Sequence, residues 1–145
     1  MQKLIVVSLL GVLVAGLFVG YLMYRQLGTS TIALDGAPEL SVTADGQECG
    51  DIGFSVKARA LGRWLYTVPK GKTITGAFSV SGAENQDIGF SIWSPTNRAV
   101  YFDSDRAHEL EFEVVGTVRG DYRFDFDNRH SSFTEKDVSV TLCLA

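Results

Sequence analysis

The stretch that decides the fold is Gly120-Asp-Tyr-Arg-Phe-Asp-Phe-Asp-Asn128. Tyr122, Phe124 and Phe126 alternate with charged residues, so a backbone with a period of two places all three rings on one face. A helix would scatter the same rings around its axis. The small polar residues that follow favour a turn, because their side chains bond to nearby backbone groups. The sequence therefore predicts a half-buried strand at 121–127 that ends in a turn.

A second alternating strand is predicted at 138–144, with aliphatic residues on one parity and polar residues on the other. Because it follows the first strand after a short polar segment, we expect the two strands to pair as a hairpin. Each strand then buries one face and leaves the other in water.

Seven further segments of strand character lie upstream, at 40–44, 52–59, 64–68, 73–81, 88–93, 99–103 and 109–115. Proline, glycine or asparagine separates many of them and suits the turns between strands. About eight short strands at steady spacing predict an all-β fold, an antiparallel, jelly-roll-like β-sandwich. Parity assigns a core of Phe54, Val56, Trp64, Tyr66, Val68, Ile74, Phe78, Val80, Ile88, Phe90, Ile92, Leu110, Phe112, Val114, Tyr122, Phe124, Phe126, Val138, Val140, Leu142 and Leu144.

The order of these segments resembles the GOLD (Golgi dynamics) domain family over roughly residues 40 to 145. The last part of the resemblance is carried by Gly120, Tyr122, Phe124, Phe126, Asp127, Asn128, Ser131, Lys136 and Val138. The upstream part is carried by Val68, Pro69, Gly71, Gly76, Phe78, Val80, Asp87, Ile88, Phe90 and Ile92. The resemblance implies a non-catalytic module for adaptor or cargo recognition, as in small membrane proteins of the early secretory pathway. Those proteins place the membrane helix after the domain, whereas here an apolar segment comes first.

Residues 4–24 carry no charge or proline, and about 21 residues at about 1.5 Å each would span the hydrocarbon core. We expect an uncleaved signal anchor at 1–25, with the amino terminus inside. A cleaved signal peptide is the alternative, since Thr31-Ile32-Ala33 has the pattern of a cleavage site. Gly16 and Gly20 form a Gly-x-x-x-Gly pair that would suit homo-association of two such helices.

Residues 26–39 are small and polar, which is typical of a linker, and 40–145 then form the folded domain. From residue 26 onward the chain has 11 Lys and Arg against 17 Asp and Glu, a net charge of −6. An acidic domain is repelled by phosphate backbones, which excludes nucleic acid as a partner. Anionic lipid headgroups repel it in the same way, so we expect the domain to stand off the bilayer, held by its tether.

Cys49 and Cys143 lie near the two ends of the predicted domain and are the only cysteines. They would either remain two small unpaired side chains or form a disulfide, and we expect the disulfide in an exported domain. The GOLD family commonly carries a disulfide, but Asp125 stands where many members have a strand cysteine. The resemblance therefore does not assign the pairing by position.

The residues needed for catalysis are not grouped in the sequence. His108 and His130 are far apart, and neither has a second imidazole or thiol at metal-ligand spacing. No Gly-x-Ser-x-Gly element presents a nucleophile, and the glycines at 116 and 120 precede no helix that would hold a phosphate. We therefore expect no enzyme activity, no cofactor and no metal.

Carboxylates recur with strand parity, at Asp103 with Asp105 and at Asp125 with Asp127. Two carboxylates on a flat strand supply only part of a calcium shell, so we interpret them as a solvated face paired with Arg123. Glu109, Glu111 and Glu113 form a continuous acidic row, and Lys57 and Arg59 are expected to lie opposite it.

Trp93 falls on the water-facing parity of its strand. It would cover the end of the sandwich beside Pro95, or form a ligand surface with Tyr101. Asn128 lies on the inward parity, where its amide would satisfy backbone groups of the turn.

The sequence thus predicts a single-pass membrane protein that binds other proteins through a domain outside the cytoplasm. That domain lies at the surface or in the periplasm of a prokaryotic cell, or in the lumen of the secretory pathway in a eukaryotic one. A carbohydrate-binding sandwich that uses Trp93 and Tyr101 is the alternative. A hydrolase would need converging carboxylates, for which Asp103, Asp125 and Asp127 are the candidates.

Overall fold

The computed structural model describes residues 30–34, 39–82 and 85–145. The predicted anchor at 1–25, with Gly16 and Gly20, lies outside these residues. Within the described part of the chain, no helix is long and apolar enough to cross a membrane.

Ten strands make up the described structure. They are β1 Ser30–Ala33, β2 Ser41–Val42, β3 Glu48–Val56, β4 Ala60–Val68, β5 Thr73–Gly82, β6 Ile88–Ser94, β7 Ala99–Ala107, β8 Glu109–Val115, β9 Gly120–Asp127 and β10 Lys136–Leu144. β1 lies inside the segment that the sequence predicts as a linker. The strand predicted at 52–59 ends earlier, at Val56, because Arg59 adopts a left-handed backbone (φ 60°) in the turn before β4.

The strands form two five-stranded sheets. Sheet A has the order β1-β4-β9-β6-β7, and sheet B has the order β2-β3-β10-β5-β8. All pairings are antiparallel except that of β1 with β4, which is parallel. The predicted all-β sandwich is therefore confirmed for the described residues.

The predicted hairpin between the last two strands is wrong. β9 lies between β4 and β6 in sheet A, whereas β10 lies between β3 and β5 in sheet B. The loop at 128–135 crosses from one sheet to the other. The aromatic face of β9 and the aliphatic face of β10 therefore meet across the interior, where each strand has two pairing partners of its own.

The core fills the space between the sheets and follows the predicted parity. Tyr122, Phe124 and Phe126 are fully buried, and Phe90 packs with its ring centroid 4.9 Å from that of Phe126 and 4.9 Å from that of Phe112. Each such side chain contributes about 1.5–3 kcal/mol by leaving water. Of the predicted core residues, Phe54, Tyr66 and Leu110 are only partly buried at its margin.

Candidate functional site

A shallow groove of about 860 Å³ runs across the outer face of sheet B. Side chains alternate along each strand, so residues between the buried positions of β3, β10, β5 and β8 point outward. The register joins them into rows across the sheet. One row is Asp51, Thr141, Ala77 and Glu111, and the next is Gly53, Ser139, Ser79 and Glu109.

Small residues form the floor of the groove, and carboxylates form its margins. Ala77, Ser79 and Ser139 occupy central positions of the two rows, and Gly53 ends the second row on β3. A side chain there would meet open space, since the nearest atom to a Cβ at Gly53 would be 4.0 Å away. The groove thus exists because the central outward side chains are small and the marginal ones are long, on a sheet that is otherwise regular.

The outward positions of sheet B carry negative charges that no outward cation on the same sheet neutralises. Five carboxylates share this face, those of Asp51, Glu109, Glu111, Glu113 and Asp137. The outward positions of β3, β5, β8 and β10 include no Lys, Arg or His. A surface with one sign of charge raises the local concentration of cationic groups.

Hydrogen bonds fix two of these carboxylates in place. Thr141 Oγ1 donates to Asp51 Oδ1 over 2.6 Å, and Ser55 Oγ donates to Asp137 Oδ1 over 2.6 Å. The three glutamates of β8 form no ion pair with the described residues. They are therefore available to a partner.

Lys57 and Arg59 do not lie opposite the glutamates, so that prediction is wrong. β8 is an edge strand whose neighbour is β5, and both cations lie in the β3–β4 turn. The sheet order, which parity alone does not give, separates them.

The disulfide between Cys49 and Cys143 is confirmed. The two residues are direct partners in the β3–β10 pair, with Cα atoms 4.1 Å apart. The bond joins the start of β3 to the end of β10 beside the groove.

The residues of the GOLD resemblance lie in and around the core. A Cβ at Gly120 would overlap the side chain of Thr96, which accounts for glycine there. Asp127 accepts from Arg129, with Oδ2 2.6 Å from Nη2. Lys136 is 1% exposed, with Nζ 3.8 Å from Asp87 Oδ1.

Asn128 ties the two sheets together. Its side chain is fully buried, and Nδ2 lies 3.0 Å from the carbonyl oxygen of Val56, 3.1 Å from that of Lys57 and 2.8 Å from that of Thr134. These carbonyl groups belong to the end of β3 and to the crossing loop. The amide therefore satisfies backbone groups, as predicted, and it also connects the end of β9 in sheet A to the end of β3 in sheet B.

Trp93 and Tyr101 do not share a surface. Trp93 lies on the outer face of sheet A under the guanidinium of Arg123. Tyr101 turns inward at a bulge in β7 and packs 5.0 Å from the ring of Tyr122. Burial raises the pKa of the Tyr101 hydroxyl, but bonds with Thr117, Tyr122 and Asn97 outweigh it and hold that pKa below its usual value.

The aspartates considered for calcium or hydrolysis pair with arginines or stay apart. Asp125 is buried and bridges Arg63 and Arg123, at 2.7 and 2.9 Å. Asp103 lies on β7, two strands from Asp125. No group of three or more His, Cys, Asp or Glu among the described residues is placed to hold a metal ion.

His130 lies in the loop at 128–135 and does not line the groove. Its Nε2 is 3.3 Å from Asp87 Oδ1, and Arg106 approaches the other oxygen of Asp87 at 3.6 Å. His108 contacts the carbonyl of Gln86 through Nδ1 at 3.0 Å. Both histidines thus join the 85–87 segment to neighbouring elements.

Two packed sheets, tied together by the buried Asn128, define a small β-sandwich, and the disulfide links two neighbouring strands within sheet B. Residues 53–144 match the emp24/gp25L/p24 family/GOLD, and the chain belongs to this family. Comparison with curated proteins finds no match.

Three solved structures that match this chain have low sequence identity to it. The Aeromonas hydrophila PliG, a periplasmic lysozyme inhibitor of g-type lysozyme, is 14% identical, with a TM-score of 0.51 over 81% of this chain and 98% of that one. The Salmonella Typhimurium PliG is 12% identical, with a TM-score of 0.46 over 80% and 98%. A pre-peptidase C-terminal domain of collagenase from Bacillus anthracis is 12% identical, with a TM-score of 0.43 over 78% and 92%. The likeness to the Aeromonas protein concerns the fold alone.

The groove is the feature that the sequence did not reveal. Its signal was present, because the outward parity of four strands contains small residues and acids without any cation. What was missing was the strand order, which places Gly53 and Ser79 on either side of Ser139.

Proposed function

We propose that this chain is a membrane-anchored, extracytoplasmic and non-catalytic protein-binding module. In this proposal the groove on sheet B takes a Lys- or Arg-rich segment of a partner protein. The observation that carries it is the set of five outward carboxylates on sheet B with no cation among its outward positions.

The location is supported by three features. Family membership is consistent with a membrane protein whose domain faces a lumen. The disulfide suits an oxidising compartment outside the cytoplasm. The apolar residues 4–24 have the length and composition of an anchor.

The shape of the groove favours a protein segment over a small molecule. Small-molecule sites enclose most of their ligand and are lined mainly by apolar side chains. Here the groove is shallow and its margins are charged. An extended segment lying over Ser79 and Ala77 would bring its cations to Glu109 and Glu111 without displacing any side chain.

The carbohydrate-binding alternative has less support. Sugar recognition of the kind considered uses exposed aromatic faces for stacking. The face of Trp93 is covered by Arg123 at 4.2 Å, and the hydroxyl of Tyr101 is engaged by Asn97 at 2.7 Å. The outward residues of the groove include no aromatic ring.

A photoreactive amino acid at Ser79 of the full chain, in membranes of the producing cell, tests the proposal. We expect cross-links to a protein whose linked peptide carries Lys or Arg. The variant E109Q/E111Q/E113Q should weaken capture about tenfold, as three surface pairs of about 0.5 kcal/mol each imply.

The matched control is D103N/D105N, which removes two exposed carboxylates from β7 in the other sheet. Its cross-link should equal that of the unaltered chain. Capture that survives in the triple variant, or that falls equally in the control, would show that the groove does not select cations.

A further inference from the structure

The chain enters the domain at one end of the sandwich. β1 runs parallel to β4, with Ser30 beside Ala60 and Ala33 beside Arg63, and the amide of Leu34 donates to the carbonyl oxygen of Arg63 over 2.8 Å. Ser30 therefore lies one strand spacing, about 4.8 Å, from the first residue of β4. That end also holds the β3–β4 turn and the crossing loop at 128–135.

The segment before β1 is short. Only five residues separate Tyr24, the last residue of the apolar run, from Ser30, and they reach at most about 20 Å when fully extended. A nine-residue strand is about 30 Å long. With residues 4–24 in a bilayer, as the proposed function requires, the entry end of the sandwich is the end that lies next to the lipid.

Phe133 projects from this end and is 92% exposed. The loop that carries it is held by hydrogen bonds on both sides of the ring. Ser131 Oγ donates to the carbonyl oxygen of Thr134 over 3.1 Å and accepts from the amide of Thr134 over 3.0 Å. Asn128 Nδ2 also donates to the Thr134 carbonyl oxygen over 2.8 Å. The large apolar side chain is thus displayed on a fixed backbone.

The same loop is fastened to the point of entry. The amide of Arg59, which immediately precedes Ala60, lies 3.0 Å from the carbonyl oxygen of Ser131 and 3.2 Å from that of Asn128. Phe133 is therefore positioned relative to β1 through two backbone contacts.

Cations accompany the exposed ring. Lys57 and Arg129 are exposed and Arg59 is partly exposed at this end, whereas Glu135 is the acidic residue of the loop. Arg129 is paired with Asp127, which leaves Lys57 and Arg59 facing outward without an ion pair among the described residues. An aromatic ring flanked by cations suits the headgroup region, where rings enter the apolar boundary and cations meet phosphates.

We infer that the end formed by the β3–β4 turn and the loop at 128–135 is a bilayer-contacting surface, with Phe133 inserted at the lipid boundary. The inference rests on the proposed membrane anchor. It fixes the domain upright on the membrane, with the acidic groove along its side, whereas the net charge alone predicts a domain that stands off the bilayer.

Lipid-borne quenching in the full chain tests the inference. Both native cysteines are in the disulfide, so Phe133→Cys and Ser132→Cys can each carry a single environment-sensitive fluorophore. Lys70→Cys, in the exposed turn after β4 at the opposite end, is the matched control. The chains are reconstituted into phosphatidylcholine vesicles with and without brominated acyl chains.

We expect brominated lipid to quench the labels at 133 and 132 several-fold more strongly than the label at 70. A label at 133 that remains in water, while the chain sediments with the vesicles, overturns the inference and leaves the anchor intact. A blue-shifted but unquenched label means that protein, such as a second copy, covers Phe133, and this also overturns it. A chain that fails to sediment with vesicles refutes the anchor itself, and the inference with it.

Discussion

Arg123 lies over the indole of Trp93, with its Cζ 4.2 Å from the ring centroid, while its Nη2 is 2.9 Å from Asp125 Oδ2. Asp125 is in turn held by Arg63 through two bonds of 2.7 and 3.2 Å. Four side chains on three neighbouring strands of sheet A are thereby linked into one network. Trp93 therefore packs against Arg123 on the outer face of sheet A.

Trp93→Ala should lower the free energy of unfolding by about 1–2 kcal/mol, since it removes the cation–π contact and the half-buried ring. Urea unfolding followed by circular dichroism measures the change. Leu65→Ala is the control, because Leu65 is the other register partner of Arg123 but is 54% exposed. A Trp93→Ala cost no larger than that of Leu65→Ala would mean that the stacked pair contributes nothing.

Reduction of the Cys49–Cys143 bond should lower the free energy of unfolding by about 4 kcal/mol, mainly because the unfolded chain regains the freedom of a closed loop of 94 residues. The urea midpoint with and without reductant measures it. The C49S/C143S variant should show the same midpoint in both conditions. An unchanged midpoint on reduction of the unaltered chain would contradict the loop-closure account.

Asn128→Ala should cost about 2–3 kcal/mol, because three carbonyl groups near the core lose their donor. Asn97→Ala is the matched control in an exposed turn and should cost well under 1 kcal/mol. Thermal unfolding of both variants measures the difference. Equal costs would show that water replaces the buried amide without loss.

Asp127 gives the stability a dependence on pH. Burial raises the pKa of its carboxyl, but hydrogen bonds from Arg129, together with the charges of Arg129 and His130, outweigh burial and lower that pKa. A lowered folded pKa contributes stability above the unfolded value of about 3.9, and the contribution is lost as pH falls through the folded pKa.

Arg129→Ala should therefore destabilise the domain at about pH 6 more than at about pH 2, by less than about 1 kcal/mol because the pair is partly exposed. Urea unfolding at the two pH values provides the comparison. Arg119→Ala, which removes an exposed arginine with no ion pair among the described residues, should show no such difference. A pH-independent effect of Arg129→Ala would contradict the linkage.

Ala77→Arg should block the groove, since it places a long cation between Thr141 and Glu111 in the centre of their row. We expect loss of the cross-linked partner with an unchanged melting temperature, because the position points outward. Ser91→Arg, at a central outward position of sheet A between Asp103 and Asp125, is the control and should retain the partner. Retention by Ala77→Arg would place the binding surface elsewhere.

The sequence was sufficient for the class of fold and for its core because alternation is a local property. Tyr122, Phe124 and Phe126 point inward whichever strands flank them, and the same holds for Val138 and Leu142. The disulfide could also be predicted, since a domain with two cysteines allows only one intramolecular pairing.

The strand order could not be predicted from the sequence, because it depends on contacts between residues far apart in the chain. Residues 136–144 would alternate in the same way whether β10 paired with β9 or, as it does, with β3 and β5 in sheet B. β1 was missed for a similar reason, because Ser30–Ala33 is short and pairs with a strand about thirty residues away. The groove depends on that same order.

β10 lies in the middle of sheet B, between strands that precede it by more than fifty residues. During synthesis, β3 and β5 therefore emerge long before the strand that unites them. Half of the sandwich stays open until the last strand has left the ribosome or the translocation pore, so its apolar strand faces are exposed to chaperones throughout that interval. Folding of this domain is consequently completed only after β10 has emerged.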